Sequence, residues 1–225
     1  MVRGVLFDMD GVLLDTERLG SRLLPEACLR RGYTMPAEIF QKILGCNHLL
    51  SKQILLAHFG PDFPYEEVFA DFLSGFVDIA RAGKLPLKKG VEACMDGLRA
   101  RGVKRALATS TNRDVVECYL ANTPAIRHAF DATVCGMEVV RGKPEPDIYL
   151  EAARRLYLTP GECLGVEDSR NGLRSLTAAG CPSVMIPDLL PYDESFAGIV
   201  TYRLNDLTQL CPLIDRLNLG ARTRG

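Results

Sequence analysis

Residues 4–17 read GVLFDMDGVLLDTE, which joins the pattern of a buried strand to a group of acidic side chains. A short apolar run, Val5 to Phe7, leads directly into two aspartates, Asp8 and Asp10, followed by Gly11. Burying a carboxylate costs several kcal/mol unless a cation or hydrogen-bond donors meet it. We therefore expect the rest of the chain to bring positive charge to the end of this first strand.

Outward from this stretch, short apolar runs alternate with longer amphipathic segments. The predicted strands are 3–8, 103–109, 131–135, 162–167 and 182–187, with a weaker one near 198–202. Helical periodicity covers 90–101, 112–122, 145–157 and 170–179, with Gly102 and Gly180 where helix C-caps belong. This alternation predicts right-handed βαβ units, and hence a Rossmann-like α/β core with a parallel sheet and helices on both faces.

One segment breaks the alternation. From 16 to 85 the pattern is helical, with breaks at Gly32, Gly45 and residues 60–64, and Pro25 predicts a kink or a break in the first helix. We therefore predict an α/β core of residues 1–15 and 86–225, interrupted by a helical cap of residues 16–85. Its hinges should lie near 14–16 and 81–87.

Composition excludes several classes of function. The 225 residues carry a net charge of −1, which offers no footprint for nucleic acid or an anionic membrane surface. No apolar run approaches the length that spans a bilayer, and Asp8 and Asp10 interrupt any signal peptide. Eight scattered cysteines without a C-x-x-C pair suit reduced thiols. We expect a cytoplasmic monomer.

Polar residues follow several predicted strands. In open α/β sheets, ligands bind outside the carboxyl ends of the strands. The residues that should gather there are Asp8, Asp10, Thr109, Ser110, Lys143, Glu167 and Asp168. Taken singly, each has a simpler explanation as a turn, a helix N-cap or a solvated loop lysine. Together, four acids, two hydroxyls and one lysine at one sheet edge indicate a functional site.

This group of residues predicts a metal and a reaction. Four carboxylates against one lysine demand a cation, and an all-oxygen donor set without His or Cys suits Mg²⁺ better than Zn²⁺. A carboxylate beside Mg²⁺ can attack phosphorus in line, and a second carboxyl two residues on can protonate the leaving oxygen and then activate water. The chemistry predicted is hydrolysis of a small phosphorylated metabolite.

Four motifs, in order, resemble those of the haloacid dehalogenase superfamily, in the branch with a small helical cap. They are FDMDGVLLDTE, ALATS, GKPEPDIY and GVEDSRNGLRSLTAAG. The resemblance implies that Asp8 is the nucleophile, Asp10 the acid/base, Thr109 the phosphate-binding hydroxyl and Lys143 the neutralising lysine. It also implies that Asp8, the backbone carbonyl of Asp10 and Asp168 bind the metal directly, and that Glu167 acts behind them or through water.

The resemblance leaves the substrate and the outcome of the reaction open. Similarity to pseudouridine-5′-phosphatase-like members implies a sugar or nucleoside phosphate. The alternative within the family is β-phosphoglucomutase-type phosphoryl transfer, which Gly20 disfavours because a histidine occupies that position in the mutases. Candidate substrate contacts are His48, Ser110, Thr111, Asn112 and Arg113. Arg113 as an anion clamp competes with its simpler explanation as a surface arginine of the first helical turn. Alternatives of another class are a receiver-like phospho-switch and a non-catalytic relative.

Overall fold

The computed structural model describes residues 1–43, 46 and 48–222, and its centre is one parallel sheet. The strand order is β3-β2-β1-β4-β5-β6, so that the chain builds outward from β1 first to one side and then to the other. The strands are β1 (Gly4–Phe7), β2 (Lys104–Thr109), β3 (Ala132–Cys135), β4 (Cys163–Glu167), β5 (Ser183–Met185) and β6 (Tyr202–Arg203). The Rossmann-like α/β prediction is confirmed.

The alternating side chains of β1 show how the sheet is buried on both faces. Val5 and Phe7 belong to a large hydrophobic cluster on one face, while Leu6 belongs to a second cluster on the other. Successive side chains of a strand point to opposite faces, so an unbroken apolar run fits a strand covered on both sides. The position of β1 in the middle of the sheet follows from this pattern.

Helices of the core pack on the two faces of the sheet. One face carries α5 (Val91–Ala100), α6 (Arg113–Asn122) and α9 (Leu210–Arg222), and the other carries α7 (Asp147–Arg155) and α8 (Arg170–Ala179). The predicted bounds of α8 agree with the structure. The predicted helix 145–157 is too long at both ends, since Pro146 occupies the N-cap of α7 and Leu156 its C-cap.

Between β1 and α5 the described chain is helical, as predicted. The helices are α1 (Thr16–Arg30), α2 (Ala37–Ile43), α3 (His48–Phe59) and α4 (Tyr65–Arg81). Pro25 lies inside α1, which continues through it, so the alternative of a break at this proline is wrong. A proline removes one helical hydrogen bond, but burial of Leu24, Ala27 and Cys28 on the same turns offsets that loss. The predicted break at Gly45 lies outside the described residues.

The four helices share a hydrophobic cluster of their own, which includes Leu24, Ile39, Leu55 and Val68. The chain enters and leaves this segment through two neighbouring stretches, where Leu14 and Leu87 form an antiparallel bridge. The Asp15 amide donates to the Pro86 carbonyl at 2.8 Å, and the Lys88 amide donates to the Leu13 carbonyl at 2.9 Å. We call these paired stretches the hinge ladder, and the exact division into core and cap stays a prediction.

Two features at the C-terminal end differ from expectation. The weak last strand is β6, at Tyr202–Arg203, and it overlaps the expected range 198–202 only at Tyr202. Residue 198 is a glycine with φ of +85° in a turn, so the strand starts later than expected. Helix α9 was not predicted, although Leu210, Leu213 and Ile214 have helical spacing and are buried. No helix in the described part of the chain has the length and apolarity needed to cross a membrane.

Candidate active site

The candidate site lies at β1, where the strand order reverses: β2 and β3 lie on one side of this strand, and β4, β5 and β6 lie on the other. Strand β1 pairs with β2 on one side and β4 on the other, and ligands in open α/β sheets bind at such a switch point, beyond the carboxyl ends of the strands. Asp8 follows β1 directly, Thr109 ends β2 and Glu167 ends β4. The fold therefore gathers residues from three distant parts of the sequence at one sheet edge.

Lys143 joins two of the acids. Its ammonium donates to Asp8 Oδ1 at 2.6 Å and to Glu167 Oε1 at 2.7 Å, and its side chain is 8% exposed. It also lies over the ring of Tyr149, 5.0 Å from the centroid. The buried ammonium of Lys143 therefore contacts Asp8, Glu167 and the Tyr149 ring, and its charge stabilises the two carboxylates.

Glu167 is fully buried and both of its oxygens already have partners. Oε1 accepts from Lys143 and from the Tyr149 hydroxyl at 2.7 Å. Oε2 accepts from the Asp168 amide at 3.1 Å, and from the amide and hydroxyl of Ser169 at 3.1 and 2.9 Å. A carboxylate with this many donors suits a role in holding Lys143 and the β4–α8 turn.

Two glycines make room for the acids. A Cβ at Gly172 would lie 1.7 Å from Glu167 Oε1, so only glycine fits where α8 passes that carboxylate. At Gly11, φ is +76° and a Cβ would lie 2.1 Å from Asp168 Oδ2. The loop after β1 can therefore turn sharply and approach Asp168.

Asp10 is oriented by a different residue from the lysine that binds Asp8. The Thr111 hydroxyl donates to Asp10 Oδ2 at 2.9 Å, and the Thr111 amide donates to Thr109 Oγ1 at 3.1 Å. The β2–α6 loop thus links the end of the second strand to the second aspartate. This contact makes Asp8 and Asp10 chemically different in spite of their spacing.

The four acids of the site are buried beside a single lysine, Lys143, and this environment shifts their pKa values. Burial raises the pKa of Asp8 to about 8 although Lys143 acts against it, and burial also raises the pKa of Asp10 and of Asp168 above their ordinary values. Burial also acts on Glu167, but the Lys143 ammonium and the Tyr149 hydroxyl hold its pKa below the ordinary value. The site cluster, defined as Asp8, Asp10, Lys143, Glu167 and Asp168, carries an excess of acid.

The donor set of this cluster fits a divalent cation. Oxygens of Asp8, Glu167 and Asp168 lie within 4.8 Å of one another, and all three residues are buried. Hard oxygen ligands without nitrogen or sulfur match Mg²⁺. Since Glu167 is already saturated with donors, Asp8 and Asp168 have the freer oxygens for direct binding.

Four predicted substrate contacts are not brought to the acids by any described interaction. Ser110 and Asn112 are exposed on the β2–α6 loop. Arg113 Nε donates to Glu138 at 2.6 Å, and its Nη2 donates to the Thr133 carbonyl at 3.1 Å. His48 Nδ1 lies 3.2 Å from the Tyr65 hydroxyl, and the ring stacks edge-on against Phe69 within the helical segment.

Other residues at the site were missed by sequence reasoning. Tyr149 and Ser169 bind Glu167, and only their places inside the third and fourth motifs signalled them. Four further residues form what we call the junction network, namely Asp15, Arg18, Lys88 and Asp188. Lys88 Nζ contacts Asp188 Oδ1 at 2.6 Å and Asp15 Oδ1 at 3.5 Å, so the network ties the hinge ladder to the loop after β5.

Several known proteins are similar to this chain over most of its length. The chain is 36% identical over 188 residues to a Drosophila melanogaster protein named "Probable pseudouridine-5'-phosphatase", with 81% of this chain and 80% of the relative covered. It is 30% identical to hexitol phosphatase A of Escherichia coli over 92% of this chain and 93% of that protein. It also superposes on Rhodobacter sphaeroides CbbY in complex with xylulose-(1,5)bisphosphate, with a TM-score of 0.79. That structure has 28% identity, and the match covers 93% of this chain and 96% of CbbY.

The family is settled by a model that spans most of the sequence. Residues 2–180 match the model of the haloacid dehalogenase-like hydrolases. That range contains all four motifs and every residue of the site cluster. The prediction of an enzyme of the hydrolase class is confirmed, and the receiver-like alternative falls away. The chain belongs to the haloacid dehalogenase-like hydrolases.

Proposed function

We propose that the chain is a Mg²⁺-dependent phosphatase that hydrolyses a small sugar or nucleoside phosphomonoester through an aspartyl-phosphate on Asp8. The observation that carries this proposal is the asymmetry between two aspartates at the end of β1. Asp8 is bound by Lys143 at 2.6 Å beside two further carboxylates, whereas Asp10 is bound by the Thr111 hydroxyl at 2.9 Å. This asymmetry supports Asp8 as the nucleophile and Asp10 as the proton carrier.

The first step is attack on phosphorus. The Asp8 carboxylate displaces the alcohol, while the Lys143 ammonium and the Thr109 hydroxyl offset charge on the phosphoryl oxygens. Asp10, which accepts a hydrogen bond from the Thr111 hydroxyl, gives its proton to the leaving oxygen. In the second step Asp10 takes a proton from water, whose oxygen attacks the phosphorus of the aspartyl-phosphate. The bond between phosphorus and the Asp8 oxygen breaks, inorganic phosphate leaves and the Asp8 carboxylate is restored.

Mg²⁺ would be held by Asp8, Asp168 and the backbone carbonyl of Asp10, with Glu167 behind them. When bound, it would neutralise charge on the phosphoryl group and on the acids. The excess of buried acid in the site cluster supports this assignment. Glu167 keeps Lys143 in place, and Gly11 and Gly172 leave the space that the arrangement needs.

We further propose that residues 16–85 act as a cap that closes over bound substrate, with hinges at 14–16 and 81–87. Closure would exclude bulk water during formation of the aspartyl-phosphate. The separate hydrophobic cluster of α1–α4 and the hinge ladder support a segment that moves as a unit. Hydrolysis is favoured over mutase chemistry because Gly20 packs near Phe72 and Phe76 and offers no side chain to control Asp10.

The test is phosphate release from p-nitrophenyl phosphate and from a panel of phosphometabolites, with Mg²⁺ and after chelation. We expect many turnovers per enzyme with Mg²⁺ and a loss of activity when EDTA removes it. The panel includes β-glucose 1-phosphate with catalytic glucose 1,6-bisphosphate. Isomerisation without net phosphate release would establish a mutase, and absence of release from every ester would overturn the proposal.

A further inference from the structure

The β2–α6 loop carries a threonine, Thr111, that binds two different residues of the proposed active site. The Thr111 hydroxyl donates to Asp10 Oδ2 at 2.9 Å, although the two residues are 101 positions apart in the sequence. The Thr111 amide donates to Thr109 Oγ1 at 3.1 Å. One loop residue therefore joins the proposed proton carrier to the proposed phosphate-binding hydroxyl.

Backbone contacts on both sides fix the position of this loop. The Gly136 amide, just after β3, donates to the Thr111 carbonyl at 3.4 Å. A Cβ at Gly136 would lie 2.4 Å from the Ser110 carbonyl oxygen, so the missing side chain lets the loop pack against the end of β3. At the start of α6, the Asn112 carbonyl accepts from the Val116 amide at 3.0 Å. The Thr111 hydroxyl is thus presented to Asp10 from a fixed place.

The turn after β1 fixes the main chain of Asp10 but leaves its side chain free to rotate. Asp10 and Leu14 form a bridge, and the Leu13 and Leu14 amides donate to the Met9 carbonyl at 2.9 and 3.1 Å. The last torsion of an aspartate side chain has broad, roughly two-fold preferences, so the side chain itself does not distinguish its two oxygens. A hydrogen bond from a fixed donor is what can distinguish them.

The hydrogen bond from Thr111 makes the two oxygens of the Asp10 carboxyl group different. A protonated carboxyl group has one O–H donor and one carbonyl acceptor. A donor at Oδ2 favours the form in which Oδ2 is the carbonyl oxygen and Oδ1 carries the proton. The same hydrogen bond limits rotation of the carboxyl group, so Oδ1 keeps one direction.

We propose that Thr111 is a positioning residue for Asp10, which keeps the transferable proton on Oδ1 and directs that oxygen to the leaving group. This inference rests on the proposed function, in which Asp10 protonates the leaving oxygen. As the Asp8 oxygen bonds to phosphorus, the bond between phosphorus and the ester oxygen breaks, and its electron pair stays on the ester oxygen. The Asp10 Oδ1 proton moves to that oxygen. Proton transfer needs the two oxygens within hydrogen-bond reach, so a carboxyl group held in one orientation transfers its proton faster.

The experiment compares two esters that differ in their need for a proton, namely p-nitrophenyl phosphate and p-nitrobenzyl phosphate. Nitrophenolate leaves as a stable anion, whereas the benzyl alkoxide needs a proton as its bond to phosphorus breaks. We measure kcat/KM with Mg²⁺, because this constant reports formation of the aspartyl-phosphate and not its hydrolysis. In Thr111→Val, kcat/KM for the benzyl ester should fall about 10-fold, the lower end for a hydrogen bond to a charged group. The value for the phenyl ester should fall less than about threefold, since its leaving group hardly needs the proton.

Three further variants isolate the contact. Thr111→Ser retains the hydroxyl and should restore most of the activity on the benzyl ester. In an Asp10→Asn background, Thr111→Val should cause no further loss on the benzyl ester, since Thr111 acts through Asp10. Thr177→Val removes the hydroxyl of an exposed threonine of α8 and should leave both esters at their wild-type values.

Four results with Thr111→Val would overturn the inference and leave the phosphatase proposal standing. Unchanged values on both esters would show that the contact has no role in proton transfer. Equal losses on both esters would mean that Thr111 supports the loop or the binding of phosphate. A gain on the benzyl ester would mean that the hydroxyl holds the Asp10 proton away from the leaving group. A loss that persists in the Asp10→Asn background would make Thr111 a direct contact of the substrate.

The wild-type enzyme supplies the remaining outcomes. If it releases phosphate from the phenyl ester but from no alkyl ester, it has no general acid for Thr111 to position, and the inference is wrong. If it releases phosphate from neither ester and from no member of the phosphometabolite panel, the phosphatase proposal fails and the inference falls with it.

Discussion

Two groups of charged residues at the same edge of the sheet differ in their balance of acids and bases. In the site cluster, four carboxylates share Lys143, and the pKa of Asp8 rises to about 8. In the junction network, Asp15 and Asp188 face Arg18 and Lys88, so the charges are matched. A matched set is explained by its own contacts, whereas an excess of acid needs something from outside the chain. Charge balance therefore distinguishes chemistry from structural support here.

The largest effect should come from removing the nucleophile in the site cluster. We expect Asp8→Asn to reduce kcat by more than about 10,000-fold, because an amide is a poor nucleophile and a weak metal ligand. Steady-state phosphate release from p-nitrophenyl phosphate measures this. Asp96→Asn, at an exposed position of α5, should keep full activity. Normal turnover by Asp8→Asn would assign the chemistry to another residue.

The next effect concerns the proton carrier. Asp10→Asn should slow both formation and hydrolysis of the aspartyl-phosphate by roughly 100- to 10,000-fold, the usual worth of general acid–base catalysis. Rapid quench with radiolabelled substrate measures the two steps separately. An unchanged rate in both steps would show that water or another group moves the proton.

A substitution that fills the space beside Glu167 should have a smaller effect on catalysis. In Gly172→Ala the new Cβ would overlap the Glu167 carboxylate, so Lys143 loses its position and kcat/KM should fall by about 100-fold. Helix propensity alone would favour alanine by about 1 kcal/mol. Gly161→Ala, where no atom lies within 4 Å of the added Cβ, is the control. Wild-type activity in Gly172→Ala would mean that Glu167 does not position the lysine.

A substitution in the junction network should lower the stability of the protein and leave its catalytic turnover nearly unchanged. Lys88→Met leaves the buried Asp188 without its closer cation and should lower the free energy of unfolding by roughly 3 kcal/mol. This is the lower end for a buried pair, because Arg18 still faces Asp188 at 3.3 Å. Urea denaturation measures the loss, and turnover of p-nitrophenyl phosphate per folded molecule should change less than about threefold. A collapse of turnover at unchanged stability would place Lys88 in the chemistry.

Sequence patterns were sufficient for the centre of the sheet and insufficient at its periphery. The apolar runs of β1, β2 and β4 are buried on both faces, so their hydrophobicity is continuous and easily recognised. Strand β6 has only two residues and no such signal. Helix α9 was not predicted, although its buried residues have helical spacing.

The site residues that could be predicted are those that follow a strand or belong to a family motif. Asp8, Glu167 and Asp168 meet because the carboxyl ends of neighbouring parallel strands meet, and Lys143 joins two of them. Arg113 and His48 were candidates from their position in the sequence alone, and both are engaged elsewhere, with Glu138 and Tyr65. Such pairings arise from packing between distant segments, which a single sequence does not display.

The hinge ladder has a consequence for how this protein could have been assembled. Leu14 and Leu87 are bridge partners, so the start and the end of the 72-residue excursion between them lie side by side. Opposed residues of an antiparallel pair are only about 5 Å apart, a gap that a two-residue turn can close. The helical segment is thus an insertion at one place in the chain, in the connection between β1 and α5. Replacement of the helical segment between Leu14 and Leu87 by a hairpin turn, or by a different cap, would leave the register of all six strands unchanged.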